Sequence, residues 1–337
     1  MIERLVIIDS IDPQTFYGVN NSNISLIRNL FPKLRMAARG NVIKVIGEES
    51  ETAAFEKKIH EIEQYAVKYN KLTEDVIIDI VKGEPPRHTD VEGVIIYGQN
   101  GKPIAPRNAN QSKMVRSFAE NDLTFALGPA GTGKTYIAIA LAVGALKNKM
   151  CKRIILSRPA VEAGEKLGFL PGDMKDKIDP YLRPLYDALE DMVPAIRLKE
   201  YMENDTIQIA PLAFMRGRTL NDAIIILDEA QNTTKHQMKM FPTRLGMNAK
   251  MIVTGDATQI DLPRSVQSGL LQALKILRGV KGIGIIEYEK KDIVRHPLVQ
   301  RIVDAYEARE KKVDDDFQAG LVGMNRPETI ETTQQTR

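Results

Sequence analysis

The stretch Gly128-Pro129-Ala130-Gly131-Thr132-Gly133-Lys134-Thr135 decides the fold. It fits G-x-x-x-x-G-K-[ST] at every fixed position, the pattern of a loop that wraps phosphates. The glycines let successive backbone N–H groups turn inward, and the helix that follows adds the partial positive charge of its N-terminus. Lys134 brings a point charge suited to β- and γ-phosphates, and the Thr135 hydroxyl is a ligand for Mg2+. The whole loop, Gly128, Pro129, Ala130, Gly131, Thr132, Gly133, Lys134 and Thr135, is therefore expected to bind ATP with Mg2+. Its flanks agree: Leu123–Leu127 is a buried type of strand, and Tyr136–Lys147 is a helix rich in Ala, Ile and Leu.

Outward from the loop, short apolar strands alternate with helices. Strands are predicted at Leu123–Leu127, Arg153–Leu156, Thr206–Ile209, Ala223–Leu227, Met251–Thr254 and Gly282–Tyr288. Helices are predicted at Tyr136–Lys147, Pro180–Met192, Val266–Leu277 and from His296 to about Lys311, with Asp179 capping the second of these. Such alternation means a parallel sheet covered on both faces, an α/β core.

The end of the fourth strand supplies the second piece of chemistry. Ile224-Ile225-Ile226-Leu227 runs into Asp228-Glu229, which delivers carboxylates to the C-terminal edge of the sheet, where ligands bind in such folds. Asp228 is placed to hold Mg2+. Glu229 is placed to orient and deprotonate an attacking water. A helix cap would use the same residues, but the phosphate loop upstream favours the metal and the base. The glutamate also favours hydrolysis over transfer to a second substrate, as in a P-loop kinase.

Before the core, the order strand, helix, strand, helix describes a small α+β unit over residues 1–84. A linker over 85–109 holds Asn100-Gly101 between extended residues, a hairpin signal. The core is assigned to 110–312, and a polar tail over 313–337 reads as disordered.

Composition excludes some functions. One cysteine, Cys151, rules out an internal disulfide framework, and a net charge of +3 means that any nucleic-acid surface must be local. No apolar run reaches membrane-spanning length and no signal peptide is read, so a cytoplasmic chain is expected.

Three further segments carry a family resemblance. Residues Ser157 to Asp173, Ala213 to Leu220 and Asp228-Glu229-Ala230-Gln231-Asn232-Thr233-Thr234 resemble the signature segments of PhoH-like ATPases. Gly255-Asp256-Ala257-Thr258-Gln259 resembles the sensor of superfamily 1 helicases, whose glutamine reaches the γ-phosphate. Gln111 resembles their adenine-reading glutamine, with a helix cap as the alternative.

The resemblance implies one RecA-like P-loop core, a homo-oligomer able to close into a ring, and a link to RNA, including an endoribonuclease of ribosomal RNA maturation as partner. It also implies an arginine acting on the transition state, for which Arg244 and Arg295 are the candidates. Arg158, Arg216 and Arg218 are candidates for RNA, or else partners of acids such as Glu162 and Glu165. The N-terminal unit is similar to a KH module in element order, yet it lacks the Gly-x-x-Gly loop that clamps RNA. Two functions follow: an ATPase coupled to RNA remodelling, or an ATP-gated adaptor that binds RNA or a nuclease and does not unwind.

Overall fold

Alternation marks the beginning of the chain. In β1 (Ile2–Ile7) Val6 is buried while Leu5 and Ile7 are exposed, so one face of this strand meets a core. We describe the protein from a computed structural model, which covers residues 1–86, 93–159, 174–263 and 265–294 and isolated residues between 298 and 309, with backbone alone for 174–180. Most of the signature segment (160–173), Arg295 and the tail lie outside the described residues. The chain divides into a unit Met1–Asp292 and a second unit Ile293–Arg337.

After β1 come α1 (Pro13–Tyr17), α2 (Ser22–Leu30), β2 (Arg35–Arg39), β3 (Val42–Gly47), α3 (Glu49–Tyr69) and α4 (Glu74–Lys82). The strands form an antiparallel sheet in the order β1-β3-β2. Phe55, Ile59 and Ile62 on α3 pack with Ile43 and Val45 on β3, all at 0% exposure. Burying each such side chain contributes about 1.5–3 kcal/mol. The apolar period runs on to Leu34, and the helix ends at Leu30, as a proline at 32 requires by disfavouring helical backbone at Phe31. The Arg39-Gly40-Asn41 turn joins two strands, β2 and β3, with Gly40 at φ 59.

A hairpin follows: β4 (Ile96–Tyr97) pairs antiparallel with β5 (Pro103–Ile104). Ile96 and Ile104 are buried in the core of the next layer, so this segment packs as part of it. Gly144 makes the close approach possible, since a Cβ there would lie 3.1 Å from Ile96.

The remainder of the first unit runs α5 (Ala109–Glu120), β6 (Leu123–Leu127), α6 (Lys134–Lys147), β7 (Arg153–Arg158), α7 (Met174–Met192), α8 (Ala195–Glu203), β8 (Ile207–Pro211), β9 (Ala223–Leu227), α9 (Lys235–Met240), β10 (Lys250–Gly255), α10 (Gly269–Leu277) and β11 (Ile283–Glu287). Six strands form one parallel sheet in the order β11-β6-β10-β9-β7-β8. This is the α/β architecture expected from the sequence. Alternate side chains of the apolar strands divide between two cores. Ile154, Leu156, Ile224, Ile226 and Ile252 pack with α6 and α7, while Ile155, Ile225, Leu227, Met251 and Val253 pack with α9 and α10. α6 is buried almost all round, which explains its unbroken apolar run.

α7 begins at Met174, five residues before Asp179, the cap expected from the sequence. Proline's fixed φ lies in the helical range, so an interior proline can be accommodated, at the cost of one intrahelical bond and a clash with the preceding turn.

Candidate nucleotide site

The C-terminal edge of the sheet gathers the polar residues. β6 leads into the loop 128–133, where Gly128, Gly131 and Gly133 have φ of 138, 84 and 79. These values favour glycine and turn the backbone around a cradle. A Cβ at Gly128 would lie 2.5 Å from the Tyr288 carbonyl, so this position is also closed to side chains by packing. The Lys134 ammonium donates to Gly128 O at 2.7 Å and to Pro129 O at 2.8 Å, across the mouth of the loop. Burial lowers its pKa, against the opposing pull of Asp256, Glu229 and Asp228.

Strand register places the acidic pair. β10 and β7 flank β9, with Val253 and Ser157 both opposite Leu227. One residue further on, Thr254 and Arg158 therefore flank Asp228. The Asp228 Oδ1 accepts from Thr135 Oγ1 at 2.6 Å and from Thr254 Oγ1 at 2.6 Å. The Thr135 hydroxyl and the Asp228 carboxylate thus meet as an oxygen pair. That donor set suits Mg2+, a hard cation that takes a few protein oxygens and completes its shell with phosphates and water.

Glu229 sits in left-handed backbone, φ 52 and ψ 41, a conformation that costs a non-glycine residue about 1–2 kcal/mol. From this turn its carboxylate meets Gln231 and Arg158. Gln231 donates through Nε2 to Glu229 Oε2, and its Oε1 accepts from Asp256 N at 2.9 Å. Asp256, which is buried, accepts from Ala130 N in the loop at 3.2 Å. A continuous chain of polar contacts therefore runs from the phosphate loop through Asp256 and Gln231 to Glu229.

Not every residue singled out in the sequence meets here. Gln259 is exposed on the turn after Asp256, with its backbone N–H donating to Asp256 O at 3.1 Å. Gln111 is buried in the first turn of α5, where Asn108, not Gln111, is the cap. Its Nε2 donates to Thr132 O at 2.9 Å and its Oε1 accepts from Arg107 N at 2.7 Å, so both ends of the amide brace the loop. Arg244 lies at the opposite edge of the sheet, where Leu220 pairs with Leu245 ahead of β9 and β10. Its guanidinium donates to Met240 O and Arg218 O, both at 3.3 Å. Arg218 donates to Gln208 at 2.8 Å, and Arg216 is exposed.

Arg158 is different. Its guanidinium lies 3.5 Å from Glu229 and 3.9 Å from Asp228, and it donates to Tyr181 O at 3.0 Å. The sequence offered it as an RNA contact, and it faces the acidic pair. Gln231, Thr254 and Asp256 were not given these roles from sequence. A hydroxyl or carboxyl closing an apolar strand is the signal that marks the last two. Gln231 had only its place two residues after Glu229.

A parallel sheet with this loop at one strand end and an acidic pair at another defines a P-loop NTPase. Comparison with known proteins specifies it further. The profile of the "PhoH-like protein" family matches residues 103–307. The chain is 49% identical over 298 residues to a PhoH-like protein of Bacillus subtilis, covering 87% of this chain and 93% of that one. It is 50% identical over 279 residues to one from Mycobacterium tuberculosis, covering 81% and 79%. The chain belongs to the PhoH-like family of P-loop ATPases. Among solved structures it is similar to a Sulfolobus solfataricus SWI2/SNF2 ATPase core, at 19% identity and a TM-score of 0.35, covering 57% of this chain and 47% of that one. It is also similar to the Pif1 helicase of Candida albicans, at 15% identity and a TM-score of 0.32, covering 60% and 43%.

Proposed function

We propose that this chain is a Mg2+-dependent ATPase of the cytoplasm whose turnover responds to single-stranded RNA. The observation that carries the hydrolytic half is the convergence of Thr135, Asp228 and Glu229 beside the loop of Lys134. In this reading the loop amides and Lys134 bind the β- and γ-phosphates. Thr135 and Asp228 hold Mg2+, which supplies charge neutralisation at the phosphates. Glu229 takes the proton of the attacking water, and the contacts through Gln231 and Asp256 hold that carboxylate in register with the loop. Gln259 is the γ-phosphate sensor and reaches inward when nucleotide binds. Arg244, at the far edge of the sheet, serves a neighbouring subunit of a ring and not its own site.

The RNA half rests on the helicase-like order of loop, acidic pair and sensor, and on basic side chains at the surface such as Arg216. A remodelling ATPase with an endoribonuclease of ribosomal RNA maturation as partner is the form of function that fits. A second reading, an ATP-gated adaptor that does not unwind, is favoured by a specific feature: the described residues carry one six-stranded sheet and no second such lobe.

The test is phosphate release from ATP by the full chain, with and without single-stranded RNA, beside Glu229→Gln. Loss of a general base is expected to lower turnover at least about 100-fold while ATP binding persists. RNA should raise the wild-type rate. An RNA-indifferent rate would leave the adaptor as the better account, and a fully active Glu229→Gln would remove Glu229 from the mechanism.

A further inference from the structure

Glu229 is held from two sides. Gln231 occupies Oε2, and the Arg158 guanidinium stands 3.5 Å from Oε1. A carboxylate that must accept a proton from water needs a free lone pair directed at that water. Each oxygen has two lone pairs, so the amide on one and the cation beside the other do not fill them, but together they fix the direction in which the carboxylate faces. Gln231 belongs to the contacts that lead back to the phosphate loop. Arg158 comes from elsewhere.

The sheet order shows from where. β6, which carries the loop, is separated from β7 by β10 and β9. Three strand spacings put the ends of β6 and β7 about 14 Å apart. Arg158 ends β7 and reaches back toward β9, so it approaches the acidic pair from the side away from the nucleotide loop. Its third contact, to Tyr181 O at 3.0 Å, ties the same guanidinium to α7. The side chain is 21% exposed, so solvent and solutes can reach it. A planar cation in that position suits an incoming phosphodiester as well as it suits a carboxylate.

We propose that Arg158 is a positioning residue that restrains Glu229 in the resting chain, and that the backbone phosphates of single-stranded nucleic acid release the base by drawing the guanidinium away. The proposal builds on the ATPase reading above and assigns the route by which RNA acts on it. The residue touches neither nucleotide nor water in this role. It acts through Glu229.

Steady-state ATP hydrolysis by the full chain tests this, with poly(U) as the nucleic acid and with the wild type, Arg158→Ala, Arg158→Lys and the double variant Arg158→Ala/Glu229→Gln. Without poly(U), Arg158→Ala is expected to raise kcat about 2- to 5-fold, the range that a part-exposed ion pair sets, with KM for ATP unchanged. Poly(U) should then add little. Arg158→Lys keeps the charge without the fork, so its basal rate should fall between those of the wild type and Arg158→Ala. The double variant should be as inactive as Glu229→Gln alone, because the acceleration runs through the base. A lower kcat in both Arg158→Ala and Arg158→Lys would make Arg158 a catalytic residue and overturn the restraint. An unchanged basal rate would overturn it too. A wild type indifferent to poly(U) with a faster Arg158→Ala would keep the restraint and overturn nucleic acid as its release. A wild type that hydrolyses no ATP, with Arg158→Ala equally inactive, would defeat the ATPase reading itself.

Discussion

Gly128 is where one missing carbon has the most to do. Its φ of 138 and the Tyr288 carbonyl 2.5 Å from the place of a Cβ make alanine unacceptable on two independent counts. Gly128→Ala should weaken ATP binding by at least about 10-fold, since a strained backbone of this kind costs about 1–3 kcal/mol and the loop must shift to relieve it. Titration calorimetry with ATP measures the loss; affinity equal to the wild type would show that the loop tolerates the shift. At this scale the sequence made the residues proposed to hold nucleotide and metal plain. Lys134, Thr135, Asp228 and Glu229 belong to local patterns whose spacing carries their chemistry. The contacts that surround them were hidden. Arg158 faces Glu229 because β7 lies beside β9 with Ser157 opposite Leu227, and register between distant strands is not written in either strand alone. Gln111 shows the same limit: its amide is spent on Thr132 O and Arg107 N, partners fixed by how α5 packs on the loop.

Elements were legible in proportion to how uniformly they are buried. β6 and β9 are buried along their whole length, and their bounds are those expected from the sequence. β2 is not legible in the sequence because Arg-Met-Ala-Ala-Arg has weak strand propensity, and its partner β3 supplies the pairing that it needs. α10 begins at Gly269, three residues later than expected, and the reason is a contact. Gly269 lies against the Thr234 carbonyl, where a Cβ would clash, and its N–H donates to Thr233 O at 2.7 Å. Thr234 in turn caps α9 in a reciprocal box with Gln237. Gly269→Ala should therefore push α10 from the α9 cap and cost about 1–3 kcal/mol in urea unfolding. Ser268→Ala, at a hydroxyl without a partner among the described residues, should stay within about 0.5 kcal/mol of the wild type. Equal stability of the two variants would mean that the close approach is not needed.

At the scale of the whole molecule, a costly charge among the described residues lies away from the candidate nucleotide site. Lys147, at the end of α6, is pushed down to about 8 from an ordinary 10.5 by burial, with Tyr97 O at 3.4 Å. Its folded value lies below its unfolded one, so between pH 8 and 10.5 the unfolded chain binds the extra proton. Stability from this group thus rises as pH climbs through that window, and the cost is complete below it. Lys147→Met should raise Tm at pH 7 by about 2–4 °C, and the gain should shrink above pH 8, read by thermal melts across pH. A gain that did not vary with pH would point to packing and not to charge. Beside this lysine the β4–β5 hairpin has a consequence for how the protein can be divided. The family match starts at residue 103, yet Ile96 pairs with Ile104 across that boundary, and Asn70 from the C-terminus of α3 bonds Tyr97 O at 2.7 Å and Met192 O at 3.2 Å. A fragment begun at residue 103 or 110 would leave the surface around Gly144 stripped of its cover and prone to self-association. A workable ATPase fragment starts no later than Gly93, and the natural place to shorten this protein differs from the place where the family profile begins.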